Sequence, residues 1–226
     1  MNVPWLPPEA RPESLPPATE ALDEPNGLLA IGGNLSPEWL LYAYRHGVFP
    51  WYSRGQPILW WSPDPRCVLE PGELRVHRSL ARSLRHGGHR IAMDTAFAEV
   101  VAGCAAPRPG QDGTWITSAM ARAYTQLHRL GHAHCVEVWR DDRLVGGLYG
   151  VRIGGMFFGE SMFSGIRDGS KFALKALTDW AIASAIGLID CQMPTAHLKS
   201  LGARTIARDR YLARVAQLTN AAAARV

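Results

Sequence analysis

The sequence predicts an α+β fold in which a small N-terminal module, residues 1–63, packs on a larger domain, residues 64–226. Strand-like and helix-like segments alternate from Arg66 onward, whereas the preceding loop is crowded with aromatic, proline and glycine residues. Hydrophobic residues make up 47% of the chain and charged residues 19%, a balance that excludes a largely disordered protein.

The N-terminal module is predicted to contain one helix behind a proline-rich lead-in, residues 1–20. Ser36 is placed as its N-cap and Pro37 as its first residue, and Gly47 ends it. The loop that follows contains two aromatic pairs, Trp51-Tyr52 and Trp60-Trp61. Packing between the two modules is the usual role of such residues, and the alternative is a cradle for a base or an apolar side chain.

The larger domain is predicted to alternate short strands with helices around a proline and glycine loop at 106–113. Asp141-Asp142 and Gly154-Gly155 indicate hairpin turns. The predicted strands lie near 66–69, 90–93, 134–140, 143–152, 155–158, 188–193 and 204–206, and the helices near 78–86, 95–104 and 118–130, at 169–186, and on either side of the last strand. This order of elements is the layout of an acetyltransferase-like (GNAT) domain: two hairpins, then a helix, then a strand that returns beside the last hairpin strand. Such a domain has a mixed, mostly antiparallel sheet flanked by helices.

That layout predicts a cleft where the last hairpin strand and the returning strand separate. Glu160 follows one of these strands, and Asp190 and Gln192 lie two residues apart on the other, so their side chains are expected on one face. A carboxylate beside an amide can hold a reacting amine and orient a carbonyl group, as acyl transfer requires. The alternative, that the pair caps neighbouring backbone, stays open.

Arginine dominates the basic residues of a chain whose formal net charge is +4. Arg78, Arg82 and Arg85 recur at helical spacing on one face, with Arg75 close by, and the guanidinium group suits phosphate recognition. These residues form a candidate nucleic-acid surface, and a simple solvated helix face is the alternative.

The remaining chemistry-bearing residues indicate no further site. The four cysteines lack a CxxC pair, and the closest histidine pair, His132 and His134, has no neighbouring carboxylate in the sequence, so no metal ligand set is predicted. The chain also lacks an apolar run of membrane-spanning length and a basic, apolar leader, from which we expect a cytoplasmic protein.

Long motifs of the chain closely resemble the leucyl/phenylalanyl-tRNA-protein transferase family over about residues 20–212. They include EPNGLLAIGGNLSP, GVFPWYSRGQPILWWSPDPR, GTWIT, LGHAHCVEVW, FFGESMFS, LIDCQ and HLKSLGA, in this order. The resemblance implies transfer of leucine, phenylalanine and, less readily, methionine from aminoacyl-tRNA to the α-amino group of proteins that begin with Arg or Lys. The product would be marked for degradation by the N-end rule, with no cofactor or metal and a monomeric enzyme.

The resemblance also assigns roles to residues. It implies an aminoacyl pocket formed by Trp51, Leu148, Phe157, Leu174 and Leu177, with Glu160 at its rim. Asp190 matches the catalytic acidic residue and Gln192 its partner, so Asp190 is expected to hold the attacking amine directly or through Gln192. Tyr44 and Tyr124 match tyrosines near the substrate, although helix packing is an equal interpretation. Arg75, Arg78, Arg82 and Arg85 become candidates for contacts with tRNA phosphates.

Two other functions remain as alternatives. An acyl-CoA N-acetyltransferase would use the same fold, but FSGIRDGSK lacks the glycine spacing of a pyrophosphate loop. A non-catalytic tRNA-binding or degron-binding module would need the arginine face and not the Asp190 and Gln192 pair. The chain also departs from the family pattern at Thr195, where asparagine is expected, and Pro194 makes the end of that strand rigid.

Overall fold

The computed structural model describes residues 3–107 and 114–220, so most of the loop predicted at 106–113 lies outside the described residues. Two β-sheets organise this part of the chain. The first sheet belongs to the N-terminal module and the second to the larger domain, and residues 62–65 connect them.

Within the described residues, the N-terminal module consists of a four-stranded sheet, one α-helix and two short 3-10 helices, Pro12–Ser14 and Ala18–Glu20. Its strands β1 (Trp5–Leu6), β2 (Leu28–Gly32), β3 (Phe49–Pro50) and β4 (Leu59–Trp61) lie in the order β1-β2-β4-β3, and helix α1 (Pro37–Arg45) connects β2 to β3. The Ser36 hydroxyl accepts a hydrogen bond from the Trp39 backbone N–H, which confirms the predicted cap. Gly47 follows the helix with φ +73°, a conformation that glycine adopts without steric cost.

The larger domain is built on a seven-stranded sheet in the order β11-β5-β10-β9-β8-β7-β6. Its strands are β5 (Arg66–Leu69), β6 (Arg90–Met93), β7 (Ala133–Arg140), β8 (Arg143–Ile153), β9 (Met156–Ser164), β10 (Leu188–Gln192) and β11 (Arg204–Ile206). The helices are α2 (Arg78–His86), α3 (Phe97–Ala105), α4 (Ser118–Arg129), α5 (Gly169–Ala183), α6 (Ala196–Ser200) and α7 (Arg208–Asn220).

Only the β9 and β10 pair is parallel in this described sheet, and α5 joins its two strands. The other neighbouring strands are antiparallel. The mixed, mostly antiparallel α+β fold with an acetyltransferase-like order of elements is therefore confirmed.

The third hairpin strand is longer than the sequence predicts. The prediction ends it at Phe158, before Gly159, but β9 continues to Ser164, so Glu160 lies inside the strand. The β8 and β9 register shifts between Tyr149 and Gly150, and a Cβ at Gly150 would lie 2.3 Å from the Phe158 carbonyl oxygen. Gly150 therefore permits the close approach of β8 and β9. Gly159, which was predicted to end the strand, lies inside β9.

The pairing of β9 with β10 is confined to Met156–Phe158 and Leu188–Asp190. Beyond these residues the described strands no longer pair, as the predicted cleft requires. The site described below lies at this separation.

Aromatic side chains join the two modules. Tyr44 of the N-terminal module packs on Phe158 of the larger domain, with ring centroids 5.0 Å apart, while Trp39 stacks on Trp60 at 5.5 Å within the N-terminal module. Residues of both modules thus share one hydrophobic cluster, and the division into domains at 63/64 stays a prediction. None of the helices in the described residues has the length and apolar character that a membrane span requires.

Candidate active site

An apolar cavity lies where β9 and β10 separate. Its empty volume is about 530 Å³, including the part open to solvent. Four of the five residues predicted for the aminoacyl pocket line it: Leu148 from β8, Phe157 from β9, and Leu174 and Leu177 from α5. The two leucines are three residues apart, which places them on one face of the helix. Glu160, Asp190 and Gln192 line the same cavity.

Trp51, the fifth predicted member, is not among the residues that line this cavity. Its side chain is 45% exposed and packs edge-on against Trp61, with ring centroids 5.7 Å apart. The Trp61 indole N–H donates to the Trp51 carbonyl oxygen at 2.7 Å, which fixes this loop. The structure therefore separates Trp51 from the other four pocket residues.

Glu160 is the centre of a buried hydrogen-bond cluster. Its Oε1 accepts from the Tyr44 hydroxyl at 2.7 Å and from Gln192 Nε2 at 3.1 Å, and its Oε2 accepts from the Tyr124 hydroxyl at 2.6 Å. Burial raises the pKa of Glu160 to about 7, although the two tyrosine hydrogen bonds lower it. Near neutral pH this carboxyl group therefore exchanges a proton readily.

Tyr44 and Tyr124 are fully buried and belong to α1 and α4. Their hydroxyl oxygens are 2.6 Å apart. Burial, followed by the charge of Glu160, raises the pKa of both hydroxyls well above its ordinary value, so both stay protonated and remain donors. Their hydroxyls contact Glu160, but neither residue is among those that line the cavity, so a role near the substrate stays a prediction.

Asp190 occupies a different environment from the one expected. Its Oδ1 accepts from Arg66 Nε at 2.9 Å and from the Gln192 backbone N–H at 2.8 Å. Its Oδ2 accepts from Arg66 Nη2 and from the Tyr211 hydroxyl, both at 2.7 Å. Four donors fill the acceptor positions of one carboxylate. Of the two expected routes, in which Asp190 holds the amine directly or through Gln192, this arrangement favours the one through Gln192, and the role of Asp190 stays a prediction.

Gln192 departs from regular strand geometry. Its φ is +59°, and the β10 and β5 register shifts between Asp190 and Gln192. The predicted two-residue alternation therefore does not apply here, because it assumes a regular strand. The side-chain amide N–H donates to Glu160, and no group in the described residues donates to the Gln192 amide oxygen.

Arg66 and Tyr211 are site residues that the sequence reasoning missed. Arg66 is fully buried and opens β5, and its guanidinium lies between the rings of Phe49 and Tyr211 at 4.6 and 4.5 Å. A charged residue that opens the otherwise apolar strand Arg-Cys-Val-Leu is a signal that could have indicated a buried partner. Tyr211, in α7, carries no comparable signal.

The arginine face is exposed on and beside α2. Arg75, Arg78, Arg82 and Arg85 are all solvent-exposed, and within residues 3–107 and 114–220 none of them forms a salt bridge. They lie outside the residues that line the apolar cavity. The structure therefore places this exposed surface apart from the cavity, and its contact with phosphates stays a prediction.

Thr195 and the histidine pair have local structural roles. The Thr195 hydroxyl accepts from the Leu198 backbone N–H at 3.1 Å and caps α6, a role that asparagine also fills. His134 Nδ1 lies 2.8 Å from Asp94, a carboxylate 40 residues earlier that the local sequence does not reveal. Among the described residues no group of three or more histidine, cysteine, aspartate or glutamate side chains is arranged to hold a metal ion.

The family models and the curated relatives agree on one family. The family model described as leucyl/phenylalanyl-tRNA protein transferase matches residues 68–216, and the model of its N-terminal domain matches residues 33–64. The leucyl/phenylalanyl-tRNA--protein transferase of Stutzerimonas stutzeri (strain A1501) is 60% identical over 195 residues, 86% of each chain. The protein of the same name from Aromatoleum aromaticum is 55% identical over 218 residues, 96% of this chain and 91% of that one. A solved GCN5-related N-acetyltransferase from Kribbella flavida is 14% identical with a TM-score of 0.38, covering 76% of this chain and 61% of that chain.

Proposed function

This chain belongs to the leucyl/phenylalanyl-tRNA protein transferase family, and from that premise we propose which substrates it joins and by what route. As a member it is an aminoacyltransferase that moves an aminoacyl group from tRNA to proteins. We propose that it transfers leucine, phenylalanine and, less readily, methionine to proteins that begin with Arg or Lys. The modified proteins would enter N-end rule degradation, and the enzyme would act as a cytoplasmic monomer.

The apolar cavity supports this choice of amino acids. Leu148, Phe157, Leu174 and Leu177 offer only hydrocarbon to a side chain that enters between them. Burial of a leucine or phenylalanine side chain contributes about 1.5–3 kcal/mol, which favours these residues over polar ones. A difference of one methylene group is worth only about 1–3 kcal/mol, so methionine would be tolerated. Trp51 would meet the substrate outside the cavity, from the loop it shares with Trp61.

The hydrogen bond between Glu160 and Gln192 supports the proposed proton path. The Gln192 amide oxygen would accept a hydrogen bond from the attacking α-amino group, and Glu160 would share the proton of the ammonium form. The pKa of Glu160, about 7, lies close to the ~7.7–8.0 of an α-amino group, so the proton moves at little cost. Asp190 would act through Gln192, because its own acceptor positions are filled.

The bond changes balance without an outside reagent. The amine nitrogen forms a C–N bond to the ester carbonyl, and the C–O bond to the ribose breaks. The ammonium form would first give one proton to Glu160, which would release it to solvent, and the second proton, lost from the nitrogen on attack, would reach the departing ribose oxygen through the neighbouring ribose hydroxyl. Ester-to-amide exchange is downhill, and the task of the protein is to hold both substrates in register.

The acceptor and the tRNA would approach from different sides. Since Asp190 is neutralised by Arg66, Glu160 is the carboxylate of the cavity that is left to meet a basic acceptor residue. Arg75, Arg78, Arg82 and Arg85 would contact acceptor-stem phosphates, which predicts salt-dependent binding with little sequence preference.

The observation that carries the proposal is an apolar cavity that opens beside the hydrogen-bonded pair of buried Glu160 and half-buried Gln192. The test incubates the protein with labelled Phe-tRNA, acetyl-CoA and a peptide that begins with Arg. Phenylalanine on the peptide is expected, and Gln192→Ala should slow its transfer strongly but leave a measurable rate, while Gln126→Ala, at an exposed position of α4, should transfer at the wild-type rate. Acetyl transfer would establish an N-acetyltransferase, and tRNA binding without transfer would establish a binding module.

A further inference from the structure

A buried cluster beneath β10 joins three parts of the chain. Arg66 opens β5, Asp190 lies in β10 and Tyr211 lies in α7. The side chains of Arg66 and Asp190 are 0% and 1% exposed, so their ion pair is shielded from water. Arg66 Nη1 also donates to the Gly47 carbonyl oxygen at 3.3 Å, which extends the cluster to the N-terminal module.

The guanidinium of Arg66 is held in one orientation. Two parallel N–H···O bonds of 2.9 and 2.7 Å join it to both Asp190 oxygens, and the rings of Phe49 and Tyr211 cover its faces. Lysine has no planar fork and could supply only the charge. The arrangement therefore leaves the Asp190 carboxylate a single orientation.

That orientation matters because the carboxylate holds the backbone of Gln192. Asp190 Oδ1 accepts the Gln192 N–H at 2.8 Å, and Gln192 adopts φ +59°, a left-handed conformation that side-chain-bearing residues rarely adopt. The backbone bond offsets this strain and turns the chain out of regular β10 pairing with β5. The turn directs the Gln192 amide to Glu160, at 3.1 Å.

We infer that Arg66 and Tyr211 are positioning residues for aminoacyl transfer: by locking Asp190 they hold Gln192 in the left-handed conformation that presents its amide to the attacking amine. Neither residue touches the substrate. This inference rests on the proposed function, in which the Gln192 amide contacts the acceptor.

The test is a double-mutant cycle on the single-turnover rate with Phe-tRNA and an Arg-initiated peptide. Tyr211→Phe removes the hydrogen bond donated to Asp190 and the longer one, 3.3 Å, accepted from Arg66 Nη2, and it keeps the ring on Arg66. Its rate should fall about tenfold. The dissociation constant of Phe-tRNA should stay within about twofold, because the phosphate and pocket contacts remain. Tyr42→Phe, a half-buried tyrosine on α1 that stacks on His46, is the matched control and should keep the wild-type rate.

The cycle distinguishes a positioning role from a purely structural one. If Tyr211 acts through Gln192, Tyr211→Phe should cost nothing further in a Gln192→Ala background. If the two losses multiply, the inference is overturned although the proposed function stands. If Gln192→Ala alone keeps the wild-type rate, the proposed function fails at this residue.

Arg66→Lys provides the second variant, since it keeps the positive charge beside Asp190 and removes the bidentate geometry. Its transfer rate should fall at least as far as that of Tyr211→Phe, with Phe-tRNA binding retained. Arg204→Lys, an exposed arginine of β11 paired with Glu70, controls for loss of a guanidinium and should match the wild type. Wild-type rates in both Arg66→Lys and Tyr211→Phe would refute the inference.

Discussion

The pH dependence of transfer should report directly on Glu160. Burial raises the pKa of this residue to about 7, and the Tyr124 hydroxyl, 2.6 Å from Oε2, opposes that effect by stabilising the ionised form. Tyr124→Phe removes this donor and keeps the buried ring. We therefore expect the pKa of Glu160 to rise further in this variant.

The size of the effect follows from the charge on the acceptor. A hydrogen bond to a charged group contributes about 1.5–3 kcal/mol, and 1.36 kcal/mol corresponds to one pKa unit. Loss of the Tyr124 hydroxyl should therefore move the acid limb of the pH-rate profile upward by about 1–2 pH units. At pH 7 the ionised fraction of Glu160 would fall from about one half to about one tenth or less.

Single-turnover rates between pH 5.5 and 9, with Phe-tRNA and an Arg-initiated peptide, measure this shift. The intrinsic pKa of the acceptor amine is the same for every variant, so a change between profiles reports on the enzyme. Tyr42→Phe serves as the control and should reproduce the wild-type profile. A Tyr124→Phe profile that superimposes on the wild type would show that Glu160 does not share the proton.

Three further outcomes are expected. Asp190→Ala should abolish transfer, while the binding of a Phe-tRNA analogue largely remains. The unfolding free energy of this variant should drop by about 3–5 kcal/mol, because Arg66 is left buried without its partner. Wild-type turnover in this variant would contradict the role of Asp190. Because the folded-state pKa of Glu160 is raised, the stability it contributes is complete below about pH 4.5 and is lost as pH rises through about 7. The unfolding free energy of Glu160→Gln, measured by denaturant titration, should therefore rise relative to that of the wild type by up to about 3 kcal/mol between these two pH values. Parallel curves of unfolding free energy against pH for the two proteins would exclude the raised pKa of Glu160. A variant in which Arg78, Arg82 and Arg85 on α2 are replaced by alanine should bind tRNA more weakly, and the slope of log K against log salt concentration should be less negative by about 2–3. Unchanged affinity would refute the proposed phosphate surface.

Hydrophobic periodicity, caps and turns were enough to predict most elements of the fold. Ser36 and Pro37 predict the start of α1. The paired aspartates at 141–142 predict the first hairpin turn, and in the structure both adopt positive φ, +48° and +56°. These signals are local, because each depends on hydrogen bonds and dihedral preferences within a few residues. The end of β9 was mispredicted for the same reason: whether Gly159 ends a strand depends on its partner strand, which lies elsewhere in the sequence.

The amino-acid sequence alone was sufficient to assign the family and the order of elements, because long motifs and a 3.6-residue hydrophobic period can be recognised without coordinates. The contacts of each polar group, in contrast, depend on the tertiary structure. Asp190 is saturated by Arg66 and Tyr211, which lie 124 residues before and 21 residues after it, while Glu160 receives donors from two helices and from Gln192. The pKa and the free lone pairs of a carboxylate depend on such distant neighbours, so no local pattern could have distinguished the two acids.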